Sequence, residues 1–148
     1  MFRILFFKLF NKIETWEYIK NALGEITYSS YNYERYNQLL MERMGANERI
    51  YSAAYIMPSG KSRFGYEKKH QNNLKLLEYM MESGLPQQVA KAKSLEELYE
   101  VLLAYPRSEP SWHFNLQLIL ITVNYVISAN VICGCRPGSK EWNKKMFW

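Results

Sequence analysis

Residues 114–132, FNLQLILITVNYVISANVI, form the most apolar run of the chain. Leu116, Ile119, Leu120, Val123, Ile127 and Val131 recur at spacings of three and four, the signature of a helical stripe. Leu118, Ile121, Tyr125 and Val126 cover the other side, so the pattern predicts a helix buried nearly all round. A membrane span is the rival reading, and it needs roughly twenty mostly apolar residues. Gln117, Thr122, Asn124, Ser128 and Asn130 interrupt the run, which favours the central helix of an all-helical domain and no membrane partner.

Working outward, the same periodicity predicts helices over Phe2–Ile13, from Glu14-Thr15 to a stop at Gly24, and over Tyr33–Met44 with Gly45 as its stop. Tyr66–Glu82 reads as a strong helix, with Leu74, Leu77, Met80 and Met81 on its apolar face and Lys68, Lys69, Lys75 and Glu78 toward water. Pro86 suits a helix start, and Ser94 with Glu97 forms a capping pattern for a helix ending near Ala104. Ile50–Met57 reads equally as a short strand or a buried turn, and a short basic segment over 140–147 ends the chain. The sum is all-α: a single helical domain over 1–148 with seven or eight helices.

Composition bounds the function. The 148 residues are 48% hydrophobic and 16% aromatic, which argues for a packed core and against disorder. The net charge of +5 weakly favours anionic partners. Cys133 and Cys135 have one residue between them, a spacing that suits neither a zinc knuckle nor a disulfide. His70 and His113 are the two histidines, so no metal site or cofactor is expected. Reduced thiols predict an intracellular protein. Residues 1–10 imitate a secretory leader, but Lys8 interrupts the apolar run and no small-residue cleavage site follows.

Three constellations carry chemistry. Arg136, Gly138, Ser139, Lys140, Lys144 and Lys145 form a basic, glycine-containing turn. Gly138 lets a phosphate approach the backbone, and the lysines add charge neutralisation. The plain alternative is a solvated basic tail. Near the N-terminus, Lys8 and Lys12 share a helix face that can join a nucleic-acid surface, beside Asn11 and Trp16. Asn11 and Thr15 equally suit helix caps, and Trp16 a packing anchor between two helices. Gly60-Lys61-Ser62 imitates the end of a phosphate-binding loop, yet the full pattern needs glycine where Tyr55 stands, so nucleotide binding there is rejected.

Phe2–Glu17 (FRILFFKLFNKIETWE), Ile50–Met57 with Lys69-His70, and Tyr105-Pro106 leading through Asn124-Tyr125 to Pro137-Gly138-Ser139 together resemble the helical domain of 5-hydroxymethyluracil DNA kinases and related thymine-hypermodification proteins. The resemblance covers nearly the whole chain. It implies a fold like helix-hairpin-helix DNA glycosylases, a DNA partner with modified thymine, and a separate kinase or modification domain. It also implies that family members extend beyond both ends of this chain. A flipped base needs aromatic walls and polar groups, which makes Asn11, Trp16, His70, Thr122 and Asn124 the candidate base pocket. Thr122 stands where the family carries Asp, and Arg136 where it carries the first glycine of its turn. Threonine supplies no charge, and every acid in the chain is Glu, with Glu109 and Glu141 flanking the buried helix. The expectation is a DNA-binding domain without kinase activity of its own. An active base-modifying enzyme and a helical protein-interaction module are the alternatives, so the sequence leaves enzymatic activity open.

Overall fold

Left-handed backbone at one asparagine sets the arrangement of the first two helices. The computed structural model describes residues 1–53, 64–92 and 94–105. These contain α1 (Phe2–Phe10), α2 (Ile13–Leu23), α3 (Tyr33–Gly45), α4 (Lys69–Glu82), α5 (Leu85–Lys91) and α6 (Leu95–Leu103), with no strand among the described residues. The all-α reading holds, with six helices among the described residues. The helix predicted over 114–132, the basic segment over 140–147 and Gly60-Lys61-Ser62 lie outside the described residues.

The helix predicted to run unbroken from Phe2 to Ile13 is two helices. Asn11 takes φ 50 and ψ 38, and its N–H donates to the Phe7 carbonyl at 2.6 Å, which ends α1. Asparagine tolerates this conformation better than other side chains do. Lys12 is extended and Ile13 restarts the helix. The elbow carries Ile13 off the apolar stripe, and it is 62% exposed. Thr15 does not cap α2, because Lys12 holds that position. Instead Thr15 is fully buried and donates to the Ile50 carbonyl at 2.9 Å.

Gly24, at φ 80, ends α2 as predicted. Asn32 caps α3 by accepting from the Arg35 N–H at 3.0 Å. Gly45 stays helical, and the chain turns two residues later at Asn47, with φ 61. Helix α4 begins at Lys69 rather than Tyr66 because the buried Asn72 amide occupies the backbone that would extend it. Its Oδ1 accepts from Tyr66 N–H at 3.2 Å, and its Nδ2 donates to Tyr66 and Lys68 carbonyls at 2.7 and 3.3 Å. Pro86 lies in the first turn of α5, and Ser94 Oγ accepts from Glu97 N–H at 3.1 Å to start α6.

Helix α4 is the centre of this packing, touching α1, α3 and α5. Leu74, Leu76, Leu77 and Met80 bury against Phe2, Leu5, Phe6, Leu9 and Phe10 of α1 and Tyr36 and Leu40 of α3. Aromatic rings dominate. Phe6 meets Phe10 at 5.0 Å and Tyr36 edge-on at 5.4 Å, and Phe2 meets Tyr31 edge-on at 5.3 Å. Offset and edge-on pairs each add about 1 kcal/mol beyond burial. Among the described residues, no helix is long and apolar enough to cross a membrane.

Thr15→Val keeps the shape at this position and removes the donor to Ile50. Urea unfolding should show a loss of ~1–2 kcal/mol, while Thr15→Ser should retain most of the stability.

Candidate nucleic-acid interface

The α1–α2 elbow gathers Lys8, Asn11, Lys12 and Trp16. Residues 49–52 form a strap across it. Lys12 Nζ donates to the Arg49 carbonyl at 2.6 Å, Thr15 to Ile50, and Ser52 N–H to the Phe10 carbonyl at 3.2 Å. Tyr51 fastens the same strap to α4. Its ring stacks on Phe10 at 5.2 Å, its hydroxyl accepts from Asn73 Nδ2 at 3.0 Å, and Lys69 Nζ lies 4.4 Å from the ring centroid. Burial pushes the Tyr51 hydroxyl well above its ordinary range, so it stays neutral. Burial also lowers Lys69 from its usual value.

Trp16 is half-buried among Phe6 and Phe7, each with ring centroids 6.0 Å away, and Arg3 lies over its ring at 5.8 Å. It therefore packs α2 onto α1. Lys8 is half-buried on the last turn of α1. His70 lies elsewhere, between α3 and α4, 1% exposed, with Nε2 donating to Asn37 Oδ1 at 3.0 Å. Burial first, and the neighbouring Lys68 second, push it down to about 4, so the ring is neutral at pH 7. Asn11, Lys12 and Trp16 thus share the elbow, and His70 belongs to a different helix junction. Thr122, Asn124, Arg136, Gly138, Ser139, Lys140, Lys144 and Lys145 lie outside the described residues.

Several cations of the described residues are engaged by groups of the fold, while Lys20, Arg35, Arg49, Lys68 and Lys91 are exposed. Arg43 lies over Tyr18 at 5.0 Å, donates to the Glu14 carbonyl at 2.6 Å and pairs with Glu48. Lys75 lies 4.3 Å from the Tyr33 ring centroid and pairs with Glu78, whose hydrogen bond raises the lysine above its usual value. Lys68 reaches the Met41 sulfur at 3.0 Å. The described residues carry eleven Lys and Arg against twelve Glu. The net positive charge therefore resides in residues 54–63, 93 and 106–148, which carry eight Lys and Arg and two Glu. Among the described residues, no group of three or more His, Cys, Asp or Glu is placed to hold a metal.

Asn37, Tyr51, Asn72 and Asn73 escape sequence reading. His70, Asn73 and Leu77 do fall at helical spacing, a signal that polar groups share the buried face of α4.

Replacing Asn11 tests the elbow. Asn11→Gly should leave the thermal midpoint nearly unchanged, whereas Asn11→Val should cost ~1–2 kcal/mol, because a β-branched residue resists the left-handed region.

No curated protein and no solved structure gives a significant match to the chain. A family model does, and it matches residues 1–148, the whole chain, under the description 5-hmdU DNA kinase, helical domain. Full-length agreement, on a chain with helical described residues and an aromatic N-terminal block of the expected kind, makes this protein a member of that helical-domain family.

Proposed function

We propose that the chain is a single helical domain that binds DNA where thymine-derived bases such as 5-hydroxymethyluracil are modified, and that it has no kinase activity of its own. The observation that carries this reading is the division of charge. The described residues hold twelve Glu against eleven Lys and Arg, and several of those cations are engaged within the fold. Attraction for a polyanion therefore falls on the other residues, where Arg136, Lys140, Lys144 and Lys145 of the basic turn supply four of the eight cations and, with Gly138 and Ser139, contact phosphates. Lys8 and Lys12 extend that contact along the elbow.

Membership of the kinase helical-domain family supports a DNA context and a separate kinase or modification domain as partner. The lack of a full phosphate-binding loop around Gly60-Lys61-Ser62 supports transfer chemistry being supplied by that partner. A helix-hairpin-helix, glycosylase-like grip and an intracellular setting belong to the same reading. So does a base pocket drawn from Asn11, Trp16, His70, Thr122 and Asn124. Of these, Trp16 and His70 would need to leave the contacts that now fill their surroundings.

Fluorescence anisotropy with short duplexes, plain and carrying 5-hydroxymethyluracil, tests the proposal at several salt concentrations. Changing Lys140, Lys144 and Lys145 to Ala together should weaken binding and reduce the salt slope by ~2–3, close to one unit for each phosphate that is no longer neutralised. A preference for the modified duplex supports the base pocket. Absence of binding at low salt by the folded protein, or an unchanged slope in the triple variant, contradicts the proposal.

A further inference from the structure

We propose that buried His70 makes the α3–α4 junction acid-sensitive: a proton taken at Nδ1 leaves the Asn37 hydrogen bond in place but puts a charge on a ring that no carboxylate is shown to face among the described residues, and this loosens α3 from α4. The ring is 1% exposed, and its hydrogen bond is to a neutral amide, with Nε2 donating to Asn37 Oδ1 at 3.0 Å. The group facing it from α3 is therefore uncharged. On its own helix, the charged neighbour that acts on the ring is the like-signed Lys68 ammonium at the α4 N-cap. Helix α1 packs on α4 through the apolar Phe2, Leu5, Phe6, Leu9 and Phe10, and α5 through Leu85 and Val89. None of these side chains can compensate a positive charge.

The consequence has a definite direction. The ring is held down to about 4 in the folded chain, below its ordinary value near 6.5. The unfolded or opened form thus binds the proton more tightly. Stability from this site is fully present above about pH 6.5 and is lost as pH falls toward 4. Between pH 7 and pH 4.5 the opening equilibrium should rise roughly 50-fold.

Amide hydrogen exchange on the whole chain, corrected for intrinsic rates, reads the opening, and an NMR titration of the ring protons reads the charge. The expected result is a His70 midpoint well below the ordinary value, with faster exchange in α3 and α4 at low pH. His70→Gln, which keeps a hydrogen-bond donor and does not titrate there, should abolish that acceleration. Asn37→Asp places a carboxylate on the ring and should move the midpoint above its ordinary value, which gives a second reading should His70→Gln fail to fold. An ordinary midpoint with unchanged exchange overturns the proposal. So does equal acid-induced exchange in His70→Gln, or a midpoint unmoved in Asn37→Asp.

Discussion

The hydrogen bond from Thr15 to the Ile50 carbonyl is the constraint on which the described structure depends. It joins residues thirty-five positions apart and lies in a fully buried site. Neither partner could be left unpaired there without losing ~1–3 kcal/mol. Once made, it presses residues 49–52 against the elbow, where Ser52 satisfies the last carbonyl of α1 and Tyr51 stacks on Phe10. The Tyr51 hydroxyl then receives Asn73 of α4. One strap thereby ties α1, α2 and α4 together, and the aromatic core closes behind it.

Electrostatics follow from the same packing. Among the described residues, Trp16, Tyr18, Tyr33, Tyr36 and Tyr51 give the packing many aromatic faces. Arg3, Arg43, Lys69 and Lys75 lie over such faces rather than extending into solvent. Cation–π contacts of this kind are worth roughly 0.5–2 kcal/mol each, so these charges serve the fold. The described residues are therefore close to neutral, and the rest of the chain carries the net positive charge.

Much of this was legible in the sequence, because helix signals are local. Gly24, Pro86 and Ser94 mark their helix ends as written, and the leucine-rich face of α4 follows from spacing alone. What escaped was decided by distant partners. The apolar stripe of α1 runs on through Ile13; Asn11 caps the helix end as its residue type suggested, but the strap that holds the elbow, with Ile50 thirty-five residues from Thr15, has no local signal. His70 is named from sequence for a base pocket, and nothing local shows that Asn37, thirty-three residues upstream, satisfies it. Asn72 shortens α4 by holding backbone that its own pattern would have made helical. Residues 2–17, the first block of the family resemblance, hold both the elbow and the aromatic centre of the core.

The central claim, that DNA is met first through the basic segment while the ring-packed Lys69 and Lys75 stay in the fold, is tested most directly by a lysine-reactivity footprint with and without duplex DNA. Protection of Lys140, Lys144 and Lys145, with Lys69 and Lys75 unchanged, is the predicted result. Protection confined to lysines of the described helices, with Lys140, Lys144 and Lys145 equally reactive in both states, would contradict it.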